Sequence, residues 1–396
     1  MWGDKMNISK IRKDFPIVSD WIYLDNACTS LKPCQVTEAV REYYEKFSVC
    51  SGRSTHSLSL ELQRRIEAGR DSLRKLINAK STDEIVYTKN CTEAINLVSK
   101  GMNLTKGDVV LTTDKEHNSN LVPWIKLQDN TGITYRQVPT DNGNFDMEAF
   151  KEAMSTKVKL VSMVHTSNLD GSTIPAKEVA EVVHDHGGIF MLDAAQSVPH
   201  RPIDVQKIDV DLIAFSVHKM IGPTGVGVLY GKKDLLDDIE PLLYGGGGVK
   251  NTTSREAFLQ DCPRKFESGQ QNYASLFAVK TAVEYLMDIG MDNIHEHEIK
   301  LNEFATKELH EYVHIIGPEE ASERSGIFNF YVDELGAHEV SILLEEEGIL
   351  TRGGMQCVHS WYNKNKIEGG TRASFYFYNT MDEVKKFVEI VKKYLL

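Results

Sequence analysis

The chain has 396 residues, a formal net charge of −12, 41% hydrophobic residues and 6 cysteines. That length allows about two or three domains, and the acidic balance argues against a protein that binds nucleic-acid backbones. Six scattered cysteines without a C-x-x-C pair point neither to a disulfide framework nor to a zinc finger, so a reducing cytoplasm is the expected compartment. The N-terminus lacks a basic region followed by an apolar one, and no run reaches roughly 18 apolar residues, so neither export nor membrane insertion is signalled.

Taken in order, residues 22–24 read as a short strand that breaks into the polar turn Asp25-Asn26-Ala27-Cys28-Thr29-Ser30. Ranges 34–47 and 58–78 read as helices, the second with Leu62, Ile66, Leu73 and Leu76 at helical spacing. Between them, Cys50-Ser-Gly-Arg53-Ser-Thr-His56 is too small and polar for core, which leaves Arg53 and His56 as surface residues or ligand contacts. The strand 85–88 ends at Lys89-Asn90-Cys91-Thr92-Glu93, where a helix begins. Capped by Asn90 or Thr92, that helix start is either an ordinary cap or a phosphate seat.

Strand-like runs at 109–111, 133–135, 160–164, 189–192, 212–215 and 226–230 then alternate with helical stretches such as 175–186, opened by Pro175 and closed by Gly187-Gly188. Such alternation predicts an α/β fold: a mostly parallel central sheet with helices on both faces and ligands at the C-terminal strand ends. Thr92, His117, Asn168, Asp193 with Gln196, and Ser216-Val-His218-Lys219 fall at those ends. After Gly245–Gly248 a polar, strandless stretch to Asn272 is expected, either a loop over the site or a surface connection. Helices at 273–290 and 293–313, strands at 327–331 and 372–377, a helix at 337–348 and a terminal helix from Met381 predict a smaller α+β C-terminal domain. His184 and His186, like His295 and His297, stand two apart on a helix and face different sides, so no metal site is expected.

Two stretches carry chemistry. The apolar run ending at Ser216-Val217-His218-Lys219 delivers a lysine to a strand end. A solvated lysine would be unremarked there; a desolvated one suits Schiff-base chemistry with a carbonyl or with pyridoxal phosphate. Asp193, which would otherwise read as a helix cap, ends the preceding strand, and a carboxylate beside a pyridine nitrogen keeps that nitrogen protonated. The second stretch, Arg352-Gly-Gly-Met-Gln356-Cys357-Val-His359, sets a cysteine in a polar, glycine-bearing loop, where Arg352 and His359 would favour its thiolate.

These residues stand in runs such as YLDNACTSLKP, NCTEAINLV, LDAAQSVPHRPIDV, DLIAFSVHKMIGPTGVGVLYG, KFESGQQN and RASFYFYNTMDEV. The chain thereby resembles, over nearly its whole length, the class V (fold type I) pyridoxal-phosphate enzymes and, within them, the group II cysteine desulfurases of the SufS or NifS-like type. The resemblance implies pyridoxal 5'-phosphate bound to Lys219, with Asp193 on the pyridine nitrogen, His117 on the ring face and Gln196 on the ring hydroxyl. It implies a phosphate site of Thr92, Ser216, His218 and the Cys91 backbone, with Gln270 reaching the partner's phosphate in a homodimer. Arg372 would clamp the substrate carboxylate near Asn168, with Arg53 and Arg352 as further substrate contacts, and Cys357 would carry a persulfide. Gln270, Val217 and Gln356 depart from the family's usual threonine, glycine and histidine.

The expected organisation is a large cofactor domain at 30–275, a small domain at 276–396 and an N-terminal segment 1–29 joining them. The implied reaction converts L-cysteine, or selenocysteine, to alanine and hands sulfur to an acceptor protein or an iron–sulfur scaffold. Rival readings are a selenocysteine lyase, another C–S lyase, a class V aminotransferase, or a catalytically silent partner in a sulfur pathway.

Overall fold

The computed structural model describes residues 6–395 apart from 53 and 142. Arg53, expected at the substrate, lies outside the described residues.

The apolar runs become a seven-stranded sheet, in spatial order Ile85–Thr88, Gly227–Gly231, Leu212–Ser216, Ile189–Asp193, Val158–Val164, Val109–Thr113 and Thr134–Val138. Gly227–Gly231 runs antiparallel to both neighbours, and the other adjacent pairs are parallel. The inner strands are buried along both faces, which is why they read as unbroken apolar runs rather than alternating ones. One core cluster packs helices Ser57–Leu76 and Ala176–Asp185 on one face, and a second packs helix Cys91–Gly101 and Trp124 on the other. Parallel order brings the C-terminal ends of neighbouring strands to one edge, so Asp193 and Ser216 end side by side.

A smaller sheet, in the order His314–Ile315, Ile327–Tyr331, Gly370–Ser374 and Arg352–Gly354, has its own core with helices Met291–Leu309 and Met381–Leu395. The boundary expected at 275/276 falls inside helix Tyr273–Ile289, whose apolar residues Phe277, Val279, Val283 and Leu286 pack into the large core. The segment 22–31 joins the two bodies. Ile22–Tyr23 pairs in parallel with Ile349–Leu350, Asn26 donates to Ser374 O at 2.6 Å, and Ser30 N donates to His218 O at 3.2 Å.

Two expectations about regular structure need correction. The stretch expected to be strandless carries a hairpin, Val249–Thr252 with Ala257–Leu259, closed by Thr253 N donating to Glu256 O at 2.9 Å. Its strands are mostly exposed, so no buried alternation marked them. Strand Gly370–Ser374 ends before the aromatic run 375–377, which leaves the sheet and turns back toward the large core.

Candidate active site

Lys219 is placed by a single tight turn, Val217–Lys219, that follows the fully buried strand Leu212–Ser216. The valine standing where the family has a glycine is accommodated by Gly222, whose added Cβ would lie 2.2 Å from Val217 Cγ1. Lys219, Asp193, His117, Gln196, Thr92, Ser216, His218, Asn168, Arg352, Arg372 and Cys357 all line one cavity of about 230 Å³. Sequence positions spread over most of the chain thus converge at the sheet's C-terminal edge.

Burial pushes the Lys219 amine below its ordinary pKa, while Asp193 and other neighbouring charges partly offset this. Burial likewise raises the Asp193 carboxyl, against the Ala195 N–H and Lys219, which favour its charge. Asp193 Oδ1 accepts from Ala195 N at 3.0 Å and from the Cys91 thiol at 3.4 Å, and Oδ2 has no partner among the described residues. A carboxylate buried to 4% exposure with one oxygen unpaired fits a ligand N–H on the cavity side. His117 caps helix Asn118–Thr131, with Nδ1 accepting from Ser119 N at 3.0 Å. Burial, with Lys219 and Arg372 nearby, pushes this imidazole down to about 3, so its ring is neutral at neutral pH.

The opposite wall is a phosphate-sized polar seat. Asn90 caps helix Cys91–Gly101 by accepting from Glu93 N at 2.9 Å, leaving the positive end of the helix dipole facing the cavity. Thr92 Oγ1 lies 2.7 Å from Ser119 Oγ, joining the two strand-end turns. The Cys91 N–H, expected at the phosphate, is instead donated to Ser216 Oγ at 2.8 Å, which leaves that hydroxyl's proton for a ligand. His218 lines the same seat, and burial with Lys219 nearby holds its imidazole down to about 4. Gln196 donates to Ala27 O at 2.6 Å and keeps its amide oxygen unpaired.

On the substrate side, Arg372 is 2% exposed; it donates to Asn168 O at 2.9 Å and to Asp25 Oδ1 at 3.3 Å, and its Nε has no partner. An orphaned guanidinium N–H inside a cavity fits a ligand carboxylate.

Cys357 is set rigidly. Gln356 and Cys357 both adopt left-handed backbone conformations, with φ of 42° and 61°. Their neighbours hold them there. Cys357 O accepts from Asn118 N at 2.7 Å, Gln356 O accepts from Asn168 Nδ2 at 2.8 Å, and Gln356 Nε2 donates to Gly370 O at 2.6 Å. Gln356 is therefore a buried pin, and Asn168 spends its amide N–H on the loop rather than on a ligand.

Three expected placements differ. Arg352 and His359 do not touch the Cys357 thiol: Arg352 Nη1 donates to Cys28 Sγ at 2.9 Å and pairs with Asp25 at 3.8 Å, while His359 Nδ1 lies 2.9 Å from Asn118 Nδ2. Gln270 lines a larger adjoining groove instead of the Lys219 cavity, because its loop runs past the outer side of the seat. Sequence reading also missed Cys28 and Asp25 as cavity groups. The turn that bears them was quoted only as a chain break, and nothing local indicates that Ser30, two residues on, bonds His218, 188 positions away.

A buried amine facing a buried carboxylate, a neutral imidazole and a capped helix end together make a site for pyridoxal phosphate on a fold type I scaffold. The class-V aminotransferase family model matches residues 22–387, and the chain belongs to that family. A cysteine desulfurase of Haloferax volcanii is 39% identical over 411 residues, covering 98% of this chain and 96% of its own. A probable cysteine desulfurase of Synechocystis sp. is 41% identical, with 96% and 93% covered. Among solved structures, apo cysteine desulfurase from Thermococcus onnurineus NA1 superposes with a TM-score of 0.95 at 35% identity, 98% of each chain covered. Among the described residues no helix is long and apolar enough to cross a membrane.

Proposed function

We propose that this chain is a pyridoxal-phosphate-dependent cysteine desulfurase that converts L-cysteine to L-alanine and keeps the sulfur as a persulfide on Cys357. The observation that carries this reading is the placement of Lys219, Asp193 and Cys357 on one cavity, with the unpaired Nε of Arg372 beside them. Its full-length similarity to named desulfurases supports it.

Lys219 and Asp193 would hold pyridoxal phosphate at its aldehyde and ring nitrogen, with Thr92, Ser216 and His218 at the phosphate and Gln196 at the ring hydroxyl. Bound there, the cofactor supplies an electron sink for charge at the substrate Cα. Arg372 fixes the substrate carboxylate by charge-assisted hydrogen bonds. The Lys219 amine, favoured in its neutral form by burial, takes the Cα proton. His117, neutral and aimed by its helix cap, can pass a proton without adding a second cation. The Cys357 sulfur then attacks the substrate sulfur. The carbon–sulfur bond breaks with its electron pair left on carbon, a proton completes the methyl group, and alanine leaves.

The protein acts as a homodimer in the cytoplasm, and its acceptor is a sulfur-carrier protein or an iron–sulfur scaffold. Exposed Tyr44, Leu58 and Leu60 support a subunit contact near the groove that holds Gln270. The test is incubation with L-cysteine and a reductant, with alanine and sulfide measured together. Equal amounts, both dependent on Cys357, are expected. Pyruvate with ammonia, or alanine production that survives loss of the thiol, would replace this reading with a C–S lyase.

A further inference from the structure

Cys28 is half-buried and lies on the segment that joins the two bodies of the molecule. It lines the Lys219 cavity together with Cys357, and it also lines the adjoining groove of about 1020 Å³; Cys357 lines only the first. The sulfur is held in place: Arg352 Nη1 donates to it at 2.9 Å, and Arg352 is anchored in turn by Asp25, 3.8 Å away. A guanidinium N–H aimed at sulfur is the contact that a thiolate nucleophile uses. Arg372, fully buried with an unpaired Nε, opens onto the same cavity and marks it as a place where an anion sits. Cys357 itself is tethered by its own carbonyl and by both neighbours, so it cannot carry sulfur outward by loop motion without breaking those bonds.

We propose that Cys28 is a second sulfur-bearing residue, taking the terminal sulfur from Cys357 and presenting it to an acceptor thiol in the outer groove; this rests on the desulfurase reading. The Cys28 sulfur attacks the outer sulfur of the Cys357 persulfide. The bond from Cys357 Sγ to that sulfur breaks, the bond from Cys28 Sγ forms, and the proton of Cys28 ends on Cys357. One persulfide and one thiol become one persulfide and one thiol, so no oxidant or reductant is consumed. An acceptor thiolate in the groove then repeats the exchange on Cys28. The position that carries this residue also explains the placement of Arg352, whose contact with Cys28 would otherwise serve no step.

The experiment treats the holoenzyme with L-cysteine without reductant, quenches with an alkylating reagent and maps persulfide adducts on peptides. Adducts on both Cys357 and Cys28 are expected in the unmodified protein, on Cys357 alone in Cys28→Ser and Cys28→Ala, and on neither in Cys357→Ser. A chase with dithiothreitol should clear sulfur from Cys357 more slowly in both Cys28 variants. An adduct on Cys357 alone in the unmodified protein overturns the relay and leaves the desulfurase reading standing. An adduct on Cys28 in Cys357→Ser overturns the proposed order. No adduct anywhere, with no alanine formed, overturns both readings.

Discussion

The two walls of the cavity are built on different physical plans. Lys219 and Asp193 project from neighbouring parallel strands whose register fixes them, inside a core that leaves little freedom. Cys357 sits on a loop whose backbone is left-handed at two successive residues and is held by bonds from Asn118, Asn168 and Gly370. The first wall inherits its precision from the sheet. The second depends on a few long-range hydrogen bonds, each of which can be removed singly. Damage to the first should therefore abolish chemistry, whereas damage to the second should uncouple sulfur capture from binding.

The largest effect belongs to Lys219→Ala, which removes both the attachment point and the base. Turnover should fall by about 10⁴-fold, and borohydride should no longer fix the cofactor to the protein; a retained covalent adduct would locate the attachment elsewhere. Cys357→Ser comes next. It should keep the cofactor absorption and its spectral response to L-cysteine while sulfide release drops to background, which a stopped-flow absorbance trace paired with a sulfide assay will show. A spectral response lost together with sulfide would mean that the second wall also governs binding.

Arg372→Ala should raise KM for cysteine by roughly 10- to 100-fold, the scale of a lost charge-assisted hydrogen-bond pair, with cofactor affinity little altered. Gln356→Ala tests the loop's pins. Its donation to Gly370 O and its contact with the Tyr362 hydroxyl are both buried, so denaturant unfolding should show a loss of about 1–3 kcal/mol, with kcat falling more than the spectral response to substrate.

The smallest effect is an acid one. Burial holds His165 down to about 3 and leaves its Nδ1 without a partner, against about 6.5 for a free imidazole. The unfolded chain therefore binds a proton in that interval that the folded chain refuses. The stability this represents is complete above about pH 6.5 and declines as pH falls toward 3. His165→Gln should flatten that decline between pH 7 and pH 5 in urea titrations; an unchanged slope would assign it to other groups, His117 and His218 among them.

The same contrast explains what could be read in advance. Strand ends are local: an apolar run followed by Ser216-Val-His218-Lys219 names its own chemistry, and alternation of strands and helices places Asp193 beside it. The loop is not local. That Arg352 turns to Cys28 and not to the adjacent Cys357 depends on Asp25, which approaches from the other end of the chain. Gln356 looked like the loss of a proton relay, yet its amide is occupied in holding the turn. The hairpin at Val249–Thr252 escaped notice because exposed strands carry no burial pattern.

The N-terminal segment has a consequence for how the protein is made. Asn26 bonds Ser374, 348 residues later, and also Asn379, while Tyr378 donates both to Asn26 and, at 2.9 Å, receives the Leu31 N–H. At about 5–20 residues per second of synthesis, the stretch bearing Cys28 waits roughly 17–70 s for these partners to leave the ribosome. A nascent or prematurely ended chain can thus have its whole central sheet and still lack the strap that closes the cavity. Completion of the reactive chamber is in this way tied to completion of the polypeptide.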